Sequence, residues 1–173
     1  MLSNTAYVIL GFLNRSPASG YDIKQKIDIS TRFFFASSYG QIYPELKRLE
    51  ENGLIAGKAK SQGQRARTEY TITPEGVEQL NEWLASPGDG VEMRDEGILK
   101  LFFSIHVERE EQLARLKAIR TERLGSLAQL QEVERTTAGN IPEMPGLVLG
   151  YGLELHEFIV GWCDRAIQQL EKE

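Results

Sequence analysis

The stretch Ser37–Leu54, SSYGQIYPELKRLEENGL, decides how the rest of the chain is read. It has the start, stripe and stop of a helix. Ser37 or Ser38 is a candidate N-cap, because a serine hydroxyl can accept a backbone N–H left without a partner at a helix start. Ile42, Leu46 and Leu49 recur at helical spacing and share one face. Gly53 follows as the residue that ends a helix in the left-handed conformation. Pro44 has no N–H and its ring crowds the carbonyl of Gly40, so the helix is expected to start late or to bend there.

The side chains off that stripe suit nucleic acid. Tyr, Gln, Lys and Arg reach phosphates or base edges, and the N-terminal part of a recognition helix is what meets bases. Ser38, Tyr39, Gln41 and Lys47 are therefore candidate DNA-facing residues, Gln41 with the donor and acceptor that pair with adenine. Tyr43, next to Ile42, divides between the core and a phosphate.

Upstream, Asn4 or Ser3 can cap a first helix, apolar on most sides, that runs to about Asn14. Ser19 caps a second, with Asp22 approximating a capping box and Tyr21, Ile23, Ile27 and Ile29 as its inward face. Phe33, Phe34 and Phe35 in the following connector, a loop or short strand, are expected to plug the core. Downstream, Leu54–Lys60 reads as a strand, Ser61–Gln64 as a turn and Ala66–Thr73 as a second strand, with Tyr70 and Ile72 alternating against polar residues. Thr73 and Pro74 open a fourth helix, with Val77, Leu80, Trp83 and Leu84 as its stripe. Three helices followed by a hairpin is the order of a winged helix-turn-helix.

The chain of 173 residues carries a net charge of -5, which argues against nucleic acid only until it is divided. Residues 1–88 carry ten Lys and Arg against nine Asp and Glu; residues 89–173 carry ten against sixteen. Positions 52–68 hold Lys58, Lys60, Arg65 and Arg67 and no acid. That local basic stripe is either an edge that meets phosphate or a solvated loop. On the first reading Lys58, Lys60, Arg65 and Arg67 contact phosphates, with Gln62, Gly63 and Gln64 at the wing tip.

Ser86–Gly90 is a linker by composition, dividing a DNA-binding domain of residues 1–86 from a helical domain of residues 91–173. In the second domain Arg94–Phe103 is a short helix, Glu108–Ala138 a long one, Thr136–Gly146 a loop, and Leu147–Glu173 a last helix with Tyr151, Leu155, Phe158, Ile159, Trp162, Ala166, Ile167 and Leu170 on its apolar side. A helix of that length spans about 45 Å and cannot bury its stripe within one small domain. A second copy packing across a two-fold axis is the economical solution, and a monomeric helical hairpin the alternative. The fold class is thus mostly α with a small β-hairpin wing: an N-terminal winged helix-turn-helix and a C-terminal helical dimerisation domain.

Other classes are less well supported. The lone cysteine, Cys163, offers no disulfide framework and reads as a small filler. His106 and His156 have no Asp or Cys at ligand or nucleophile spacing, and the glutamates beside His156 read as a Glu-rich helix surface, so no enzyme, cofactor or metal site is expected. No glycine-rich phosphate loop follows a strand. The N-terminus lacks the basic region of a signal peptide, and no run approaches the roughly 18 apolar residues of a membrane span, so the expected location is cytoplasmic.

Several segments resemble the PadR-like transcriptional regulators: SGYDI at 19–23, SYGQIYPELKRLEENGLI at 38–55, RTEYTITPEG at 67–76 and MRDEGILKLFF at 93–103. HEFIVGWCDRAIQQLE at 156–171 is similar to the branch named for virulence-gene activators. The resemblance implies a homodimeric winged-helix protein acting on double-stranded operator DNA, as repressor or activator, some members responding to small aromatic molecules. The expectation is a repressor on an inverted-repeat operator. An activator of the same fold, or a winged helix that binds protein and not DNA, stays open. Trp83, Phe102, Phe103 and Trp162 could sandwich a flat effector; core or interface filler is the favoured reading of all four.

Overall fold

The structure is a computed structural model that describes residues 2–62, 65–88, 95–137 and 139–172, without the side chains of residues 60–62, 65 and 66. The chain divides into two compact units, residues 1–90 and 91–173.

In the first unit, helix α1 (Asn4–Leu13) is capped by Ser3, whose hydroxyl accepts the Ala6 N–H at 3.1 Å. Its apolar residues supply the centre of the core: Ala6, Tyr7, Ile9, Leu10 and Leu13 are buried. A two-residue strand that the sequence did not announce, β1 (Ala18–Ser19), comes next. Helix α2 (Gly20–Ile29) then starts in a capping box. The Asp22 carboxylate accepts the Ser19 N–H at 3.0 Å, and the Asp22 N–H returns to the Ser19 hydroxyl at 3.3 Å. Those bonds, first the one from the Ser19 hydroxyl, hold the Asp22 carboxyl below its ordinary range.

Only Ile23 and Ile27 form the inward face of α2. Tyr21 and Ile29, expected there, are exposed. Each lies two residues from a buried isoleucine, roughly 200° round the helix, so it points outward. The phenylalanine plug is also corrected. Residues Thr31–Phe33 form a 3-10 turn, Phe33 and Phe35 are half-buried, Phe34 is exposed, and none joins the core. The buried residue of this connector is Ser37, whose hydroxyl lies 3.3 Å from that of Thr5.

Helix α3 (Tyr39–Glu51) begins directly after Ser38 and runs through Pro44. The late start expected from the proline does not occur. The hydrogen bond that Pro44 cannot make would go to Gly40, which sits in the exposed first turn where water can replace it. Ile42, Leu46 and Leu49 are fully buried, as their spacing predicts. At the far end Gly53 adopts φ +71°; its N–H donates to the Glu50 carbonyl and that of Leu54 to the Leu49 carbonyl, both at 2.9 Å. This pair of bonds is a Schellman closure.

Strands β2 (Ile55–Gln62) and β3 (Arg65–Ile72) pair antiparallel, and β1 adds on the other side of β3. Both strands run further towards the tip than predicted, taking in Ser61 and Gln62 of the expected four-residue turn; residues 63 and 64 lie outside the described residues. Helix α4 (Pro74–Ala85) is capped by the Thr73 hydroxyl, which receives the Gly76 N–H at 3.1 Å. Gly76 is required by close approach: a Cβ there would sit 2.1 Å from the Leu54 carbonyl oxygen. Leu80 is buried and Trp83 stacks on Tyr7 at 4.5 Å between centroids, tying α4 to α1. Leu84, expected in the stripe, is exposed one residue from the helix end.

In the second unit, Asp95 caps helix α5 (Glu96–Phe102) by accepting the Ile98 N–H at 3.0 Å, so the helix starts later than the expected Arg94. Helices α6 (Arg109–Thr137) and α7 (Glu143–Lys172) form an antiparallel hairpin. Arg120 is paired with Asp164 at 2.6 Å, Lys117 with Glu171 at 3.3 Å, and Gly152 lies against Leu130. Helix α7 starts ahead of the predicted Leu147 because Pro145 falls in its first turn, where a missing N–H costs nothing.

The residues that α7 buries are His156 and Cys163. His156 is therefore not on a Glu-rich surface, whereas Cys163 fills the interior as a small apolar residue. Tyr151, Phe158 and Trp162, expected to be packed, are exposed on this unit, as are Leu99, Phe102, Phe103 and Ile105. No helix among the described residues is long and apolar enough to cross a membrane.

Burial, and then the Arg123 guanidinium, hold His156 below the ordinary histidine range. The unfolded chain thus takes up the proton first, so stability is fully present above the unfolded pKa of about 6.5 and is lost as pH falls below it. Urea unfolding of the helical half should show lower stability at about pH 5.5 than at about pH 7.5, and His156→Leu should flatten that difference.

Candidate nucleic-acid interface

The capping of α3 presents its first turn to solvent. Ser38, Tyr39, Gln41 and Lys47 are all exposed, which the buried stripe on the opposite side enforces. Gln41 has a second task, as the closing residue of a Ser-x-x-Gln capping box with Ser38. Its Oε1 accepts from the Ser38 N–H at 2.9 Å and from the Ser38 hydroxyl at 3.1 Å, so the acceptor atom is committed to the helix start. Base contact by Gln41 must use its amide NH2 or break this clasp. Tyr39 and Tyr43 stack at 6.1 Å, and Lys24 of α2 lies 5.6 Å from the Tyr39 ring centroid.

Tyr43, left between core and surface, is 51% exposed. One ring edge rests on Gly20, where a Cβ would meet it at 2.8 Å. Lys47 pairs with Glu51 at 3.7 Å, but its side chain remains 78% exposed, so this pair contributes little and yields readily to a phosphate.

The hairpin stands beside this helix. Glu50 of α3 accepts the Gly57 N–H of β2 at 2.9 Å. Register pairs Lys58 with Glu69, Lys60 with Arg67 and Gln62 with Arg65, so the cations recur at every second position of each strand and Lys60 stands opposite Arg67. Lys58 and Arg67 are exposed. For Lys60, Gln62 and Arg65 the backbone alone is described, and Gly63 and Gln64 lie outside the described residues. The Arg67 guanidinium sits 4.9 Å from the Tyr21 ring centroid. Tyr21, expected in the core, and Lys24, which no sequence pattern singled out, are thus interface candidates. The available signal was the phase of α2, in which Tyr21 is opposed to Ile23.

The four aromatic residues considered for an effector do not converge within either unit. Trp83 stacks on Tyr7 in the N-terminal unit. Phe102 and Phe103 pack edge to face at 5.0 Å, both largely exposed. Trp162 lines a cavity of about 270 Å³ with Leu101, Ser104, Gln112, Leu116 and Leu170, to which neither phenylalanine contributes. Among the described residues no cluster of His, Cys, Asp or Glu could hold a metal ion.

Residues 9–82 match the model of the transcriptional regulator PadR-like family, and residues 93–171 that of the virulence activator alpha C-terminal domain. The negative transcriptional regulator PadR of Bacillus subtilis is 30% identical over 96% of this chain and 97% of its own. The chain belongs to the PadR-like family of transcriptional regulators. B. subtilis PadR solved in complex with operator DNA superposes with a TM-score of 0.84, at 30% identity over 95% of this chain and 98% of that one. The same protein solved with p-coumaric acid gives 0.76, at 27% identity and full coverage of both chains. The Vibrio cholerae virulence activator AphA gives 0.73, at 27% identity over 98% and 99%. The family is one of regulators and not of enzymes, in accord with the expectation from the histidines.

Membership makes the double task of Gln41 testable on a PadR-like regulator. Gln41→Ala should cost about 1 kcal/mol in urea unfolding, the typical worth of a cap. Gln41→Glu keeps the acceptor and the stability, yet its negative charge should weaken duplex binding in a mobility-shift titration.

Proposed function

We propose that this regulator is a homodimeric repressor that binds an inverted-repeat DNA operator, and that a small aromatic acid releases it. One observation carries the reading: the exposed flank of α3 and the cationic hairpin belong to one capped unit, in a chain 30% identical to a negative regulator solved on its operator. On this reading residues 1–86 bind DNA, α3 enters the major groove, and the hairpin lies along the backbone beside it. Ser38, Tyr39, Gln41 and Lys47 face base edges and nearby phosphates; Lys58, Lys60, Arg65 and Arg67 face phosphates, with Gln62, Gly63 and Gln64 at the tip. Residues 91–173 make the dimer. The exposed Phe102, Phe103, Tyr151, Phe158 and Trp162 support that role, since large apolar side chains exposed in such number mark surfaces that bind a partner. The reading puts the protein in the cytoplasm, with its operator.

Effector release follows the B. subtilis relative, which has been solved with p-coumaric acid. The proposed aromatic site would use the open depression of about 270 Å³ that Trp162 lines. Activation in place of repression is the second reading, favoured by the likeness to AphA, a virulence activator.

Footprinting on the intergenic region upstream of the protein's own gene should protect two half-sites about one helical turn apart. Protection of a single half-site, or a lone subunit in sedimentation at micromolar concentration, contradicts the dimer; no shift of the fragment favours a protein-binding module. Arg65→Ala and Arg67→Ala should each lower affinity for every duplex and reduce the salt slope by about 0.9 for each phosphate that keeps its counterion.

A further inference from the structure

We propose that Tyr21 is a positioning residue for DNA binding, its ring holding the Arg67 guanidinium on the hairpin before a duplex arrives. The inference rests on the reading that the hairpin meets phosphate. Strand β1 creates the juxtaposition. Ala18 pairs with Tyr70 and Ser19 with Glu69, which brings the first turn of α2, and Tyr21 with it, beside β3. The guanidinium lies 4.9 Å from the ring centroid. The ring is itself anchored: the Gln25 side-chain amide, one turn along α2, donates to the Tyr21 hydroxyl at 2.8 Å. Tyr21 is exposed and outside the core, so its place on the surface is not a packing requirement.

The mode of holding matters chemically. A salt bridge would occupy the N–H edge of Arg67, which is the edge that forks a phosphate. Stacking uses the face of the guanidinium and leaves the N–H donors free. One oxygen of the Asp22 carboxylate receives both the hydroxyl and the N–H of Ser19, which hold its pKa down. The Arg67 charge helps to lower it, but among the described residues no ion pair or hydrogen bond joins Asp22 to Arg67. A long arginine side chain ordered in advance loses less freedom on binding, a gain of about fivefold in affinity for one side chain.

The test is fluorescence anisotropy with a short, fluorescein-labelled duplex of mixed sequence, titrated across salt concentrations, with thermal melting of each variant as a control. Arg67→Ala should weaken binding and lower the salt slope by about 0.9. Tyr21→Leu should weaken binding about fivefold with the salt slope intact, because the phosphate is still met by a less ordered arginine. Tyr21→Phe keeps the ring and should stay within about twofold of the parent. The double variant Tyr21→Leu with Arg67→Ala should bind as Arg67→Ala alone does. Additive losses, a Tyr21→Phe defect equal to that of Tyr21→Leu, or no effect of Tyr21→Leu would each overturn the proposal. If Arg67→Ala changes neither affinity nor slope while the parent binds, the hairpin is off the duplex and the proposal falls with it. If the parent binds no duplex at low salt, the DNA-binding reading itself is what fails.

Discussion

The peptide groups on either side of Leu54 join three elements. The Leu54 N–H closes the end of α3 on Leu49, and the Leu54 carbonyl receives the Thr73 N–H at 3.1 Å where β3 ends. The Thr73 hydroxyl donates to the Gly53 carbonyl at 2.8 Å and also accepts the Gly76 N–H in the first turn of α4. Both legs of the hairpin are thereby fastened to the C-terminal end of α3. Nothing larger than a hydrogen fits at Gly76, where α4 crosses this junction. The angle between helix and hairpin is fixed by backbone bonds, by the Thr73 hydroxyl and the Glu50 carboxylate, and by close packing at Gly76. This leaves the other surface side chains to be chosen for contact with a partner.

The two units solve opposite problems. The first buries a contiguous apolar cluster and leaves only scattered apolar side chains, such as Ile29, Phe34 and Leu84, on an otherwise polar or tyrosine-bearing exterior. The second is a long two-helix hairpin whose interior includes a histidine and a cysteine, with ion pairs such as Arg123–Asp95 at 2.8 Å along its flanks. Two helices have too little mutual surface to cover both sides of a stripe about 44 Å long. Apolar residues are left over, and a surface of that composition is what a second subunit would cover.

The elements legible in the sequence are those whose signals are local. Caps at Ser3, Ser19, Ser38 and Thr73, the glycine at 53, and the stripe Ile42, Leu46 and Leu49 are read from spacing and residue type. What escaped depends on distant partners. Strand β1 is two residues long and exists only because β3 offers an edge, so no periodicity marks it. The run Phe33–Phe35 resembles core by composition, but adjacent residues in a turn diverge and none reaches the cluster. In the interface, exposure of the α3 flank followed from its amphipathic phase. The tyrosine stack and the Tyr21–Arg67 contact require side-chain geometry that one sequence does not specify, whereas the clasp of Gln41 on Ser38 has the Ser-x-x-Gln spacing of a capping box and was open to the same reading as Ser19 and Asp22.

Pro44 divides α3 unequally. Beyond it the helix is held by its backbone ladder and by side chains sunk in the core. Ahead of it, the residues from Tyr39 lack the bond that position 44 would return to Gly40, and the Gln41 side chain is what clasps their start. Opening the exposed residues ahead of Ile42, which is itself sunk in the core, breaks few hydrogen bonds and so costs less free energy than opening the body of the helix. The outward turn can therefore adapt its shape to the surface it touches while the rest of the helix stays still.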